Sequence, residues 1–266
     1  MACSWGKDSL VVLHLLKQIT DDFDVLWNNT SCHYPSIYNI KKQLEDEWNL
    51  NVVEKKANKT FWEIKEEYGF PGIGGTDRSD RANNSCCYHV KKAPTIAGIK
   101  ENGWDLYFDG LTAYESDRRW MSIKEYGLYH KHKKFGVHKC HPIGYWTVDD
   151  VWDYIEEYNI PYPDVYDNEV DDYTKRGYSI NRGHRIDRAI RSGCWACTLP
   201  LTNNGAKMKQ LRIYYPKLWN KLMTSGLAKE IARIKIGDQS SLFDGYFNET
   251  NEGYWLKNRP CFFDKI

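Results

Sequence analysis

From Ser9 to Ile19 the run SLVVLHLLKQI is apolar nearly all round, as expected of a helix buried between a sheet and other elements. A polar, glycine-containing turn leads directly into it. Downstream, DFDVLWNN is a short apolar run ending on small polar residues, a helix is predicted from Pro35 to Trp48, and NVVEKKA reads as a second strand. TFWEIKEEY (60–68) and residues 86–100 read as helices, and WDLYFDGL (104–111) as a further strand closing on a glycine. Strand and helix alternate, which predicts an α/β fold: a Rossmann-like parallel sheet with flanking crossover helices and a ligand site at the carboxyl ends of its strands.

Thr147 with Asp150 forms a capping-box pattern, after which Val151, Trp152, Ile155 and Tyr158 recur at helical spacing until Pro161. The pattern dissolves into charged, glycine-containing sequence over 167–193 and returns as two helices around 206–223 and 227–235. The last thirty residues read as an irregular tail. The expected division is therefore a nucleotide-binding domain over 1–200, carrying a basic insertion at 167–193, and a mainly helical C-terminal extension with its tail over 201–266. Only Met1, Ala2 and Cys3 precede the first turn, whereas a strand usually takes about five residues. Either that strand is stunted or the natural start lies upstream; a homodimer is one arrangement that would cover a stunted strand.

Composition narrows the class. With 41% hydrophobic and 27% charged residues the 266-residue chain is neither collagen-like, low-complexity nor mainly disordered. Lys and Arg number 37 against 36 Asp and Glu, so a polyanion partner would have to meet a local patch rather than a whole-molecule field. No apolar run approaches the ~18 residues that suggest a membrane span, and no membrane association is expected. The eight cysteines, at 3, 32, 86, 87, 140, 194, 197 and 261, are unevenly spaced in a large chain without a signal peptide, which points to a reducing cytoplasm rather than a disulfide framework.

Ser4-Trp5-Gly6-Lys7-Asp8-Ser9, between a strand remnant and a buried helix, can present backbone N–H groups and a helix N-terminus to a phosphate, with Lys7 adding charge and Ser4 and Ser9 adding hydroxyls. A plain strand-to-helix turn is the competing reading. The stretch resembles the pyrophosphate loop S-G-G-x-D-S of the adenine-nucleotide alpha hydrolase superfamily, with Trp5 in place of a glycine. NNTSCHYPS (28–36) is similar to that superfamily's N/D-T-G-x-x-x-P-E segment, and Gly110-Leu111 with Glu115-Ser116 and Arg119 to its G-L-R-x-x-x-S-x-x-R segment, with Thr112 where the first arginine is expected. The resemblance implies a HUP/PP-loop type fold, phosphates over Ser4, Gly6, Lys7, Asp8 and Ser9, and adenosine near Asn28, Thr30 and Gly110.

Cys86-Cys87 and Cys194-x-x-Cys197 are the strongest chemical feature, because soft thiolates converging from two segments suit a [4Fe-4S] cluster or a tetrahedral zinc; buried structural cysteines are the third reading. CCYHVKKAP followed by GCWACT resembles the C-C…C-x-x-C cluster site of adenylylsulfate reductases, and HPIGYWTVDDVWDYIEEYNIPYPDVYD resembles that family's P-L-x-x-W-T-x-x-D-V-W block. Over about 1–200 the chain is thus identified as similar to the phosphoadenosine phosphosulfate reductase-like family. The E-C-G-L-H motif that carries the nucleophilic cysteine of the reductase branch does not occur. Cys261, in RPCFFDKI, is the only later cysteine, either a nucleophile or a packed terminal residue.

Retention of Lys7, Asp8 and Ser9 and the style of GCWACT resemble DndC-type enzymes of DNA phosphorothioation. That branch implies an ATP pyrophosphatase using Mg²⁺, the cluster and a cysteine desulfurase as sulfur donor, with adenylation of a DNA or tRNA acceptor. Lys7, Asp8 and Arg119 would then act on the phosphates. Lys175, Arg176, Arg182, Arg185, Arg188 and Arg191 face the single acid Asp187 in the insertion, so Lys175–Arg191 either binds nucleic acid or is a solvated helix face. HKHKKFGVHK (130–139) reads as a solvated surface loop, with a metal tract or a nucleic-acid contact as alternatives. The expectation is sulfur transfer to nucleic acid; the alternatives are a sulfonucleotide reductase releasing sulfite and a non-catalytic nucleotide-binding subunit.

Overall fold

The structure, a computed structural model, describes residues 1–71, 85–168, 192–198 and 206–230. The chain divides into two compact units, the first from Met1–Thr60, Tyr88–Asp167 and Tyr178–Cys194, the second from Phe61–Cys87, Asn168–Gly177 and Trp195–Ile266.

The first unit is built on parallel strand pairs, as the alternation of strand and helix predicts. Strand β1 (Val25–Asn29) pairs in parallel with β2 (Val52–Lys56), from Val25 opposite Val52 to Asn29 opposite Lys56. Strand β3 (Leu106–Phe108) pairs in parallel with β5 (Val137–Cys140), and β4 (Tyr129–His132) runs antiparallel to β5. Met1–Cys3 lies between the two groups. Ala2 forms a parallel bridge with Leu26, Cys3 N–H donates to Leu26 O at 2.9 Å, and Ala2 N–H donates to Phe108 O at 2.8 Å. Met1–Cys3 therefore occupies a strand position, and the order runs β2, β1, Met1–Cys3, β3, β5, β4. Chain direction through the sheet changes sides at this stub, which places a crevice at its carboxyl end.

Helix α1 (Lys7–Lys17) packs on helix α6 (Val148–Glu157) and carries Leu10, Val11, Val12 and Leu13 with no exposure at all, while Asp8, His14, Leu15 and Lys17 are half-buried. Helix α2 (Pro35–Glu47) begins on a proline, tolerated there because the first-turn N–H needs no helical partner, and buries Ile37, Ile40 and Leu44 along one stripe. Helix α4 (Ala93–Asn102) lies against β1 and β2, and Gly98 lets it come close: a Cβ there would stand 2.9 Å from Leu26 Cδ1. A π-turn (Tyr88–Lys92) precedes it, ahead of Pro94, which has no N–H for the helical ladder. Helix α5 (Asp117–Tyr126) is capped by Ser116, and the capping box of α6 is complete, Thr147 Oγ1 accepting Asp150 N–H at 3.1 Å while Asp150 Oδ2 accepts Thr147 N–H at 2.7 Å.

The segment 130–139 corrects the sequence reading. It is not a loop but a hairpin, β4 and β5 joined by a turn in which Gly136 adopts φ +74° and donates its N–H to His132 O at 2.9 Å. Its lysines and histidines fall on both faces, which hid the alternation that marks a strand.

In the second unit, α3 (Phe61–Tyr68) buries Phe61 and Ile64, and Trp62 packs near Trp195, ring centroids 6.0 Å apart, with Lys221 Nζ 5.4 Å from the Trp62 ring. Of the C-terminal region, the described residues 206–230 are helical, and the helix expected over 206–223 is split; the end of the second expected helix and the tail lie outside the described residues. Helix α7 (Ala206–Tyr214) stops at Tyr215, whose backbone leaves the helical region ahead of Pro216, and α8 (Pro216–Leu222) follows, burying Trp219 and Leu222. Among the described residues no helix is long and apolar enough to cross a membrane.

Candidate functional site

The turn after Met1–Cys3 is pinned from within. Ser9 Oγ donates to Gly6 O at 2.8 Å and accepts Ser4 N–H at 3.2 Å, and Ser4 Oγ lies 3.3 Å away. Trp5 sits in the left-handed region at φ +59°, fully buried, at the position where the resemblance expects glycine. Its indole N–H has no hydrogen-bond partner among the described residues. Gly6 is required by contact: a Cβ there would stand 2.6 Å from Ser192 Oγ and 2.8 Å from the Tyr166 hydroxyl. That hydroxyl accepts Lys7 N–H at 3.1 Å and lies 2.7 Å from Ser192 Oγ. Burial pushes the Tyr166 phenol above its ordinary pKa, so it remains a neutral group beside the helix N-terminus. Lys7 is itself buried, its ammonium 2.5 Å from Asp8 Oδ1.

Gly110 locks the end of β3 onto this turn. A Cβ there would meet Asp8 C and O at 2.7 Å and Ser9 N at 2.8 Å. Between these pieces opens a cavity of about 530 Å³, within the 300–1,000 Å³ range of small-molecule sites. Ser4, Asp8 and Ser9 form one wall, Asn28, Thr30 and His33 another; Lys91, Lys92 and Thr95 come from the entrance of α4, Tyr107, Asp109, Gly110 and Leu111 from β3 and its exit, and Phe135 and Lys139 from the hairpin. Arg119 and Ser192 to Cys194 complete it.

Asn28 Nδ2 donates to Thr95 Oγ1 at 2.7 Å, which leaves Asn28 Oδ1 buried without a partner among the described residues, an acceptor at the cavity wall. Burial lowers the His33 pKa to about 4 against a smaller opposing pull from the Asn28 carbonyl, so the ring is neutral near pH 7. Cys194 Sγ donates to Thr30 Oγ1 at 3.4 Å. Arg119 is ion-paired with Glu115 one helical turn earlier. Asp109, at the end of β3, accepts from His141 Nδ1 at 2.5 Å and from Leu111 N–H at 3.2 Å, and lies 3.0 Å from Lys139 Nζ. Burial alone would raise its pKa, but the His141 bond and the Lys139 ammonium outweigh that and hold the carboxylate below its ordinary value.

Of the residues singled out from sequence, Ser4, Asp8, Ser9, Asn28, Thr30, Gly110, Arg119 and Cys194 line the cavity, while Gly6 and Lys7 shape the turn behind it. Asp109, His141 and Tyr166 have no sequence signal beyond position, beside the strand-end glycine or inside the block from His141 to Asp167, and Lys139 is marked only as the end of the basic run 130–139. Thr112, standing where an arginine is expected, is buried. Cys261 and the basic segment Lys175–Arg191 lie outside the described residues. Cys86, Cys87, Cys194 and Cys197 are half-buried, and thiolates are the donor type an iron–sulfur cluster or zinc requires. Cys194 belongs to the first unit and the other three to the second, and among the described residues no three His, Cys, Asp or Glu stand grouped to hold a metal ion.

The sequence profile of the phosphoadenosine phosphosulfate reductase domain matches residues 1–200. An adenosine 5′-phosphosulfate reductase of Oceanobacillus iheyensis is 27% identical over 168 residues, covering 63% of this chain and 65% of that protein. One from Staphylococcus epidermidis is 28% identical over 167 residues, 62% and 64% of the two. The chain thus spans just under two thirds of the length of these relatives. Among solved structures, a phosphoadenylyl-sulfate reductase from Candida auris in phosphate complex aligns with a TM-score of 0.48 at 19% identity, over 63% of this chain and 75% of that one.

Proposed function

The chain belongs to the phosphoadenosine phosphosulfate reductase domain family, and from that premise we propose that it is a sulfonucleotide reductase, releasing sulfite from an adenylylsulfate. The similarity to adenosine 5′-phosphosulfate reductases over 168 residues carries this reading over the expected transfer of sulfur to nucleic acid. The cavity supports it with parts of the right kind: a helix N-terminus for phosphate, an unpaired acceptor at Asn28 for a nucleobase or ribose donor, and Lys91, Lys92 and Lys139 for anionic groups. In this reading a thiolate attacks the sulfate sulfur, the sulfur–oxygen bond breaks and AMP leaves with the electron pair, giving a thiosulfonate on the attacking thiol. A second thiol then attacks the sulfur of the first thiol, its bond to the sulfonate sulfur breaks, and sulfite leaves with the electron pair, leaving a disulfide. The first thiolate comes from Cys261 or from a partner thiol.

Cys86, Cys87, Cys194 and Cys197 would hold a [4Fe-4S] cluster, which when bound supplies a polarisable charged group. The chain's own residues do the binding: Ser4 to Ser9 take the nucleotide phosphate, and the Asp109 contacts with His141 and Lys139 tie β3 to the hairpin.

One observation favours a second reading. Lys7, Asp8 and Ser9 are all present, and Asp8 lines the cavity as a carboxylate able to meet Mg²⁺, which suits ATP cleavage to AMP and pyrophosphate with sulfur passed from a desulfurase to nucleic acid. Anaerobically purified protein, incubated separately with Mg-ATP, adenylylsulfate and phosphoadenylylsulfate plus a thiol reductant, separates the two. The expected products are AMP and sulfite from adenylylsulfate, or sulfite and adenosine bisphosphate from phosphoadenylylsulfate, with ATP untouched; AMP and pyrophosphate from ATP without sulfite would overturn the reductase reading. Loss of sulfite release in Cys261→Ser would place the nucleophile in this chain.

A further inference from the structure

A carboxylate, an ammonium and an imidazole meet by the wall of the nucleotide cavity at the ends of two parallel strands. Asp109 ends β3, Lys139 lies in β5 and His141 follows it; the side chains are 19%, 12% and 4% exposed. Desolvating such a set costs stability, and an apolar cluster would join the strands as well or better. The arrangement therefore calls for another role. Only Asp109 and Lys139 of the three line the cavity. The Lys139 ammonium is held in place from several sides: Asp109 Oδ2 at 3.0 Å, the Tyr107 ring at 5.4 Å and the Phe135 ring at 5.6 Å. A lysine is ordinarily a mobile point charge, but this one is immobilised, and an ammonium has three donors.

The structure assigns Lys139, held by Asp109 and the rings of Tyr107 and Phe135, as the residue that receives the second anionic group of the nucleotide, the one beyond the phosphate bound at the turn. This rests on the nucleotide-binding reading above. Asp109 and His141 act through Lys139 as positioning residues. A charge-assisted hydrogen bond in a partly dry site corresponds to about tenfold in affinity.

Calorimetric titration of the anaerobically purified protein in magnesium-free buffer, with AMP and with ADP as probes of one and two anionic groups, tests this. Wild type is expected to bind ADP more tightly than AMP, and Lys139→Gln to lose about tenfold of that preference while its AMP affinity stays within about threefold. Should the orphaned Asp109 unfold that variant, Asp109→Asn combined with Lys139→Gln removes the stranded charge, and the preference should still be lost. Lys139→Arg should restore part of it. An unchanged ADP preference in the folded variants, equal loss of AMP and ADP binding, or no preference in wild type would each overturn the assignment. If wild type binds neither nucleotide, the proposed function falls with it; if AMP binds and only the preference is wrong, the function stands.

Discussion

Trp5 holds a left-handed backbone, φ +59°, that costs a residue with a Cβ about 1 kcal/mol, and does so with its indole fully buried. The related loops place glycine there, so the exchange of glycine for tryptophan must be offset by packing. Truncating a buried indole costs about 3–5 kcal/mol, against which about 1 kcal/mol of backbone strain and about 1 kcal/mol for its unpaired N–H would be recovered. Trp5→Gly is therefore expected to destabilise the protein by about 2 kcal/mol, seen as a lower urea midpoint at unchanged slope. A variant as stable as wild type would show that the indole contributes no net packing. The identity of this residue was plain in the sequence, but its backbone angle was not, because nothing in a six-residue match distinguishes a tolerated turn from a strained one.

At the scale of elements, Gly110 at the end of β3 packs directly against the backbone of Asp8 and Ser9 at the start of α1. A methyl group there must push apart two main-chain segments that both shape the cavity. Gly110→Ala should cost about 1–3 kcal/mol in unfolding experiments and weaken AMP binding about tenfold by calorimetry; unaltered binding would mean the turn does not take the phosphate. Elements of this kind were largely legible beforehand. The unbroken apolar run of α1, the Ile37, Ile40 and Leu44 stripe of α2 and the Thr147–Asp150 box each tie a local pattern to a local hydrogen bond or a single buried face. The hairpin was not, because Lys131, Lys133, His138 and Lys139 interrupt the period-two signal. The meeting of Asp109, Lys139 and His141 was not either, since register between two strands almost thirty residues apart decides it.

For the molecule as a whole, the proposed cluster makes a compositional prediction that rests on the donor chemistry of Cys86, Cys87, Cys194 and Cys197. Anaerobically purified protein is expected to hold about four iron and four sulfide per chain, with broad visible absorbance that Cys86→Ser and Cys197→Ser abolish. Stoichiometric zinc, or no metal at all, would sink the cluster. The bond between Lys7 N–H and the Tyr166 hydroxyl spans 159 residues and sits in the loop that the chain begins with. During synthesis at about 5–20 residues per second, the turn leaves the ribosome roughly 10–30 s before the tyrosine that fastens it. Through that interval the apolar surface of α1 has no finished sheet to lie on, so its burial comes late in synthesis.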